Sequence, residues 1–230
     1  LLAHDVQRAR ARITGFLYLL IIVCAGFSQG YVRESLVVFG DASLTADNIL
    51  SNAGLFRLGL VADLIAFLLD AVVAILFYQL MKPVHKTLAM VASAFRLLAH
   101  PAIASINLLN HAMAHEVLKS DLLVGFSPEQ VSSIALAFME AHRIGYLIAG
   151  AFFGIHCLLL GILIYRSGTI PGVFGFLMIG AALGYVMESF GDFLYPGHEV
   201  LLAWVVGLSA AVGEVGLTLY LIIKGLKSTG

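Results

Sequence analysis

The sequence predicts an all-α integral membrane protein, a six-helix bundle with both termini in the cytoplasm, on three observations of composition, span length and charge placement. Hydrophobic residues make up 60% of the chain and charged residues 12%, against about 45–50% and about 25% in soluble domains; mean hydropathy is +0.98. Six apolar stretches are each long enough to cross the membrane, which takes roughly 20 helical residues for about 30 Å of hydrocarbon. Basic residues gather at alternate ends of these stretches, as the positive-inside rule requires. A chain of 230 residues with six spans leaves no room for a second folded unit, so residues 1–230 read as one transmembrane domain with short loops.

The first span, residues 13–31, follows Arg8, Arg10 and Arg12 and lacks a small-residue cleavage site, so it reads as a retained anchor with its N-terminus inside. An outer loop from about Arg33 to Asn52 suits a short surface helix after Thr45 or Asp47, either a lid or a plain interfacial connection. The second and third spans, 55–81 and 84–115, are separated by a basic turn with Lys82, Pro83, His85 and Lys86. Ser127, Pro128 and Gln130 have the form of an N-cap, a first-position proline and a capping-box partner, opening a fourth helix over 127–166. The fifth and sixth spans, 171–194 and 199–223, are joined at Tyr195, Pro196 and Gly197, and Lys224 and Lys227 follow the last. Glu34, Asp41, Asp47, Glu116, Asp121 and Glu199 fall in the opposite loops, which completes the topology. Gly150 with Gly154, and Gly180 with Gly184, are spaced to let the fourth and fifth helices approach closely. Cys24 and Cys157 lie in apolar runs and read as packing residues.

Ionisable residues interrupt these spans: Asp63, Asp70, Arg96, Glu140, Arg143, Glu188, Asp192 and Glu214. Each costs on the order of 2.5–3.5 kcal/mol at membrane depth, so each needs a partner or a task. Arg96, His100, Asn107, Asn110 and His111 share one stripe of the third helix; Asp63 and Asp70 share a face of the second, Glu188 and Asp192 a face of the fifth, and His142 and His156 a face of the fourth. Lipid cannot solvate these faces, so they turn inward. Depth places Asp63, Asn107, Asn110, His111, Glu140, His142, Arg143, Glu188 and Asp192 towards the outside, and Asp70, Arg96, His100, His156 and Glu214 deeper. The pattern is a funnel open to the outside above a deeper polar layer. Acids outnumber arginines inside it, with Arg57 as a further candidate cation, so protons, protonated histidine or a bound cation must balance the surplus. Asp70 with Arg96, and Glu140 with Arg143, read equally well as neutralising pairs that fix helix register.

The histidines allow two sharper readings. His111 and His115 form an H-x3-H pair suited to zinc, with Glu188 and Asp192 as further ligands; no Glu follows the first His, so the protease motif is absent, and His115 is expected at the exposed helix end. Alternatively, His142 and His156, about 21 Å apart along one face, with His111 and His100 opposite them, would ligate two stacked b-type haems. No nucleophile elbow, phosphate-cradling loop or dinucleotide fingerprint occurs, and no basic patch supports nucleic-acid binding.

The segments ARITGFLYLLIIV (11–23), FRLGLVADLIAFLLDAVVAILFYQLMKPV (56–84), FRLLAHPAIASINLLN (95–110) and EAHRIGYLIAGAFFGIHCLLLGILIYRSGTIPG (140–172) resemble a bacterial family of multi-pass membrane proteins catalogued as domain of unknown function 4386. The resemblance covers nearly the whole chain. It implies a bundle in a bacterial cytoplasmic membrane and a family-like polar set of Asp63, Asp70, Arg96, Asn107, His142, His156, Glu188 and Glu214. His100, His111 and His115 fall outside that pattern, and no activity is implied. The leading expectation is a site of Asp63, Asp70, Arg96, Asn107, His142, His156, Glu188, Asp192 and Glu214 that binds or passes a small polar or cationic ligand or protons, in transport or sensing. The alternatives are an accessory subunit of a larger membrane complex, its buried charges serving assembly or haem, and an intramembrane metal-dependent enzyme.

Overall fold

The computed structural model describes residues 2–119 and 121–227. Its membrane-length helices are α1 (Asp5–Leu36), α3 (Ala53–Met81), α4 (Lys86–Lys119), α5 (Pro128–Ser167), α6 (Gly172–Leu194) and α7 (Glu199–Ile223), with a shorter α2 (Ala42–Ser51) between the first two. The described residues contain no strand. Six spans of length and apolarity sufficient to cross a bilayer make this a multi-pass membrane protein.

The α5 helix is the axis of the bundle: 61% of its apolar window is buried against 22% for α7. It starts as expected, with the Ser127 hydroxyl accepting from the Gln130 N–H and the Gln130 side chain reaching back to the Ser127 N–H. It stops at Gly168, whose φ of 65° a side chain would strain. Helix α6 packs along it through glycine. A β-carbon on Gly161 would lie 2.7 Å from the Gly175 carbonyl, and one on Gly154 would press on Tyr185 and Val186. The expected Gly180 and Gly184 contact with α5 is not what forms: Gly184 faces Ser209 on α7, and nothing lies within 4 Å of a β-carbon on Gly180.

Helix α1 packs along α3 and against the last turns of α7. Gly15 sits against the Leu221 and Ile222 backbone, and the Arg8 and Arg12 guanidiniums donate to the Lys224 and Ile223 carbonyls. Away from this basic end α1 and α7 diverge. At the opposite end α2 caps the bundle. It begins at Ala42, earlier than the expected Thr45 or Asp47, because Asp41 is the better N-cap and its carboxylate accepts from the Leu44 N–H. Its inner face is buried: Thr45, Ala46 and Ile49 are covered, and Ile49 joins Val32, Leu36, Phe56, Ala114 and Met139 in a small apolar core.

Three of the long helices widen into π turns, at Gly26–Arg33 in α1, Leu98–Ala104 in α4 and Ala211–Val215 in α7. In α4 the cause is Pro101, which has no N–H to give and clashes with the preceding turn. The Ser105 hydroxyl donates to the His100 carbonyl left over by the wider turn. In α1 the π geometry stacks residues five apart, so Ser28 and Arg33 come to one side. Each widened turn carries a polar group that the bundle then encloses: Arg33, His100 and Glu214.

The basic half of the bundle closes around Arg96, which is fully buried. Its Nε and Nη2 donate to one Asp70 oxygen at 2.8 and 2.5 Å, and Nη1 meets His156 Nε2 at 3.1 Å. Arginine only donates, so His156 Nε2 accepts and Nδ1 carries the proton it gives to the Ala92 carbonyl at 2.9 Å. The other Asp70 oxygen meets His100 Nδ1 at 3.0 Å, and the guanidinium carbon lies 4.4 Å from the Tyr18 ring centroid. Side chains from α1, α3, α4 and α5 thus satisfy one another around a single charge.

Two predictions follow from this packing. Gly161→Ala should lower stability by about 1–3 kcal/mol, as overpacking does, whereas Gly180→Ala should leave it unchanged or raise it by about 0.4–1 kcal/mol; thermal unfolding in detergent compares them directly. Arg96→Met, which strands a buried carboxylate, should cost about 3–5 kcal/mol, and adding Asp70→Asn should recover part of the lost folded protein. Strict additivity of the two changes would show that the pair is not coupled.

Candidate functional site

Between the diverging halves of α1 and α7 lies a cavity of about 750 Å³, walled on its other side by α5 and α6. All three π turns reach it: Gly26, Gln29, Gly30 and Arg33 from α1, His100 from α4, and Ala211, Glu214 and Val215 from α7. Wide turns are a recurrent device for presenting a polar group at a functional site. Here they supply part of the polar lining, Gln29, Arg33, His100 and Glu214. Apolar residues such as Ile21, Ile22, Leu147 and Val206 make up much of the wall.

The floor is Glu214, 7% exposed. The Tyr18 hydroxyl donates to its Oε2 at 2.5 Å and the Tyr185 hydroxyl to its Oε1 at 2.7 Å, so α1, α6 and α7 meet at one carboxylate. Higher on the wall, Arg143 bridges Glu140 on its own helix and Asp192 on α6, the latter at 2.6 Å. The pair expected from Glu140 and Arg143 alone is therefore a three-residue clamp between α5 and α6. Glu188 also lines the cavity. Among the described residues neither Glu188 nor Glu214 has an arginine or lysine nitrogen within the 4.0 Å of an ion pair, whereas Asp63, Asp70 and Asp192 each have one. Most of the acid surplus expected from the sequence thus lies in two glutamates facing the same space, the rest in the two carboxylates that share Arg143.

A second polar cluster adjoins the cavity beneath α2. Asp63, buried on α3, accepts from Arg33 Nη1 at 2.6 Å, and the same nitrogen reaches Ser28 Oγ at 2.9 Å. His111 and His142 are 0% and 1% exposed, with ring centroids 5.4 Å apart. Asn107 Nδ2 donates to the His142 carbonyl at 2.7 Å while His142 Nδ1 faces the Asn107 carbonyl at 3.1 Å. This reciprocal pair needs Gly145, since a β-carbon there would overlap the Asn107 side chain. One ligand atom from each of Asp63, His111 and His142 lies within 4.8 Å of the others.

Several expectations change against this geometry. The third arginine turned into the bundle is the half-buried Arg33, not Arg57, which is exposed and donates to its own helix at Ala53. The apolar run ends near Tyr31, which puts Arg33 in the expected loop; the helix continues to Leu36, and its π turn brings the guanidinium inward. His115 is buried, 3% exposed, against Phe56 with Nδ1 3.4 Å from Glu116, and it stands outside the Asp63, His111 and His142 cluster. The zinc set imagined with Glu188 and Asp192 is not assembled, since Asp192 is held by Arg143. Two stacked haems do not fit either. The His111 and His142 rings stand edge to face with centroids 5.4 Å apart, and both nitrogens of His156 are engaged by Arg96 and Ala92. Tyr18, Tyr146 and Tyr185 line the cavity without having been singled out in the sequence, where a tyrosine inside an apolar run has no periodic signal.

Comparison with known proteins places these residues in a family. A protein of Archaeoglobus fulgidus described as uncharacterized is 31% identical over 168 residues, which is 73% of this chain and 84% of that protein. No solved structure matches the chain. Residues 13–225 match the model of the Domain of unknown function DUF4386, reaching into every membrane-length helix and covering both polar clusters. The chain belongs to the DUF4386 family.

Proposed function

We propose that the protein is a ligand-binding bundle of the cytoplasmic membrane, with both termini inside, whose cavity takes a small cationic molecule with an apolar body. The observation that supports this most is the pair of cavity glutamates, Glu188 and Glu214, without a cationic partner while the arginines at 33, 96 and 143 are bound to other acids. A buried carboxylate favours a cation in its neighbourhood. The apolar wall offers the rest of such a molecule a place to lie, and the Tyr185 ring on the same wall suits a cationic head. Asp70, Arg96 and His156 hold the floor in this reading, and Asp63, Asn107 and His142 shape the wall near the cap. Sensing needs only binding at such a site, and transport needs in addition that the site open to the other side.

The expectation is that alkyl or aryl amines raise the unfolding temperature of the purified protein, while neutral isosteres of the same size do not. Glu188→Gln and Glu214→Gln should each weaken amine binding by about tenfold or more, a loss of one cation–carboxylate contact of about 1.4 kcal/mol. Equal binding of amines and neutral isosteres would sink the reading. Amine uptake by proteoliposomes then separates transport from sensing, and recovery of a stoichiometric membrane partner with no amine response would favour the accessory-subunit alternative.

A further inference from the structure

Of the buried side-chain atoms without a hydrogen-bond partner in the described residues, five belong to one cluster: Asp63 Oδ1, His111 Nδ1, His142 Nε2, Arg33 Nη2 and the Tyr146 hydroxyl. Buried polar atoms are almost always satisfied, so such a concentration points to a ligand. The first three are lone-pair donors and the last two carry hydrogens.

The state of each ring follows from its other nitrogen. His111 Nε2 lies 3.0 Å from the Phe56 carbonyl and His142 Nδ1 lies 3.1 Å from the Asn107 carbonyl. A carbonyl only accepts, so these two nitrogens carry the protons, and the unpartnered His111 Nδ1 and His142 Nε2 present lone pairs. A histidine that donates one ring N–H to a backbone carbonyl and offers the other nitrogen is in the arrangement typical of metal ligands. Asp63 matches it: Oδ2 is held by Arg33 at 2.6 Å, while Oδ1 has no hydrogen bond of regular geometry and the Tyr146 hydroxyl stands close to the same carboxylate.

We propose that Asp63, His111 and His142 bind a divalent first-row transition ion of the zinc class, with an open coordination position. Two neutral imidazoles and one carboxylate are a donor set of catalytic and oxygen-ligand sites rather than of closed structural ones, and they disfavour calcium and magnesium, which take oxygen ligands. His142, Arg33 and Tyr146 also line the large cavity, so the open position faces that space. Arg33 already offsets the Asp63 charge. An ion there therefore calls for an anionic fourth ligand, such as hydroxide or a carboxylate, and Arg33 Nη2 and the Tyr146 hydroxyl are the donors to receive it. This set shares only His111 with the H-x3-H pair. The proposal does not rest on the amine reading, because metal occupancy is measured without any organic ligand.

The test uses untagged protein in detergent, stripped with a chelator, loaded with Zn²⁺, freed of excess by size exclusion and analysed for metal. About one zinc per chain should be retained, and His111→Gln, His142→Gln and Asp63→Asn should each weaken retention by at least about tenfold, the lower end of what even an outer partner of a metal ligand contributes. His198→Ala, at an exposed loop histidine, should retain it in full. Co²⁺ in place of Zn²⁺ should give visible absorption bands that vanish in the same three variants. Should those variants fail to fold, the wild-type protein alone decides: its unfolding temperature must rise with Zn²⁺ relative to chelator. Failure of the wild type to retain zinc or to be stabilised by it, or retention undiminished in His111→Gln and His142→Gln, would overturn the proposal and leave a hydrated polar cluster.

Discussion

The fully buried Arg96 sets the terms for the rest of the bundle. A guanidinium away from water must have its donors met and its charge balanced, and no single neighbouring helix does both. Asp70 from α3 supplies the charge, His156 from α5 accepts the remaining direction, and Tyr18 from α1 and Phe153 from α5 lay their faces over the plane. Four helices are thereby fixed in register at one depth. Everything on the capped side of that layer is free to diverge because the layer itself is not.

The divergence is what creates a cavity, and the π turns determine its character. An α-helical face places polar groups at intervals set by its 3.6-residue turn. Each widened turn breaks that interval once and aims one group where the regular helix would not, giving the cavity an arginine, a histidine and a glutamate from three separate helices. The paired exchange between Asn107 and His142 serves a related end at the cap: two backbone carbonyls are satisfied by side chains, and the ring that does so is locked in one orientation.

Much of this was legible in the sequence. Composition and basic flanks gave the six spans, and the rule that lipid cannot solvate charge brought Asp70 and Arg96 together, as it did Asp63, His111 and His142 at a common depth. The capping box at Ser127 was readable because caps are local chemistry. What was not legible depends on departures from the regular helix. Arg33 lies beyond the apolar run and enters the interior only through a π turn, for which Gly26 and Gly30 are weak signals. Tyr18 and Tyr185 look like any aromatic in an apolar helix until Glu214 is seen between them. Gly184 was assigned to the wrong neighbour because spacing shows that a helix can be approached closely, not by which partner.

The crossing of α1 and α7 at Gly15 has a mechanical meaning. Below it the two helices are tied by Arg8 and Arg12 to the Lys224 and Ile223 carbonyls, and above it the Tyr18 hydroxyl meets Glu214 before they separate. Two rods crossed near one end form tongs. In such a geometry a small change of angle at the fulcrum is a large change of span at the tips.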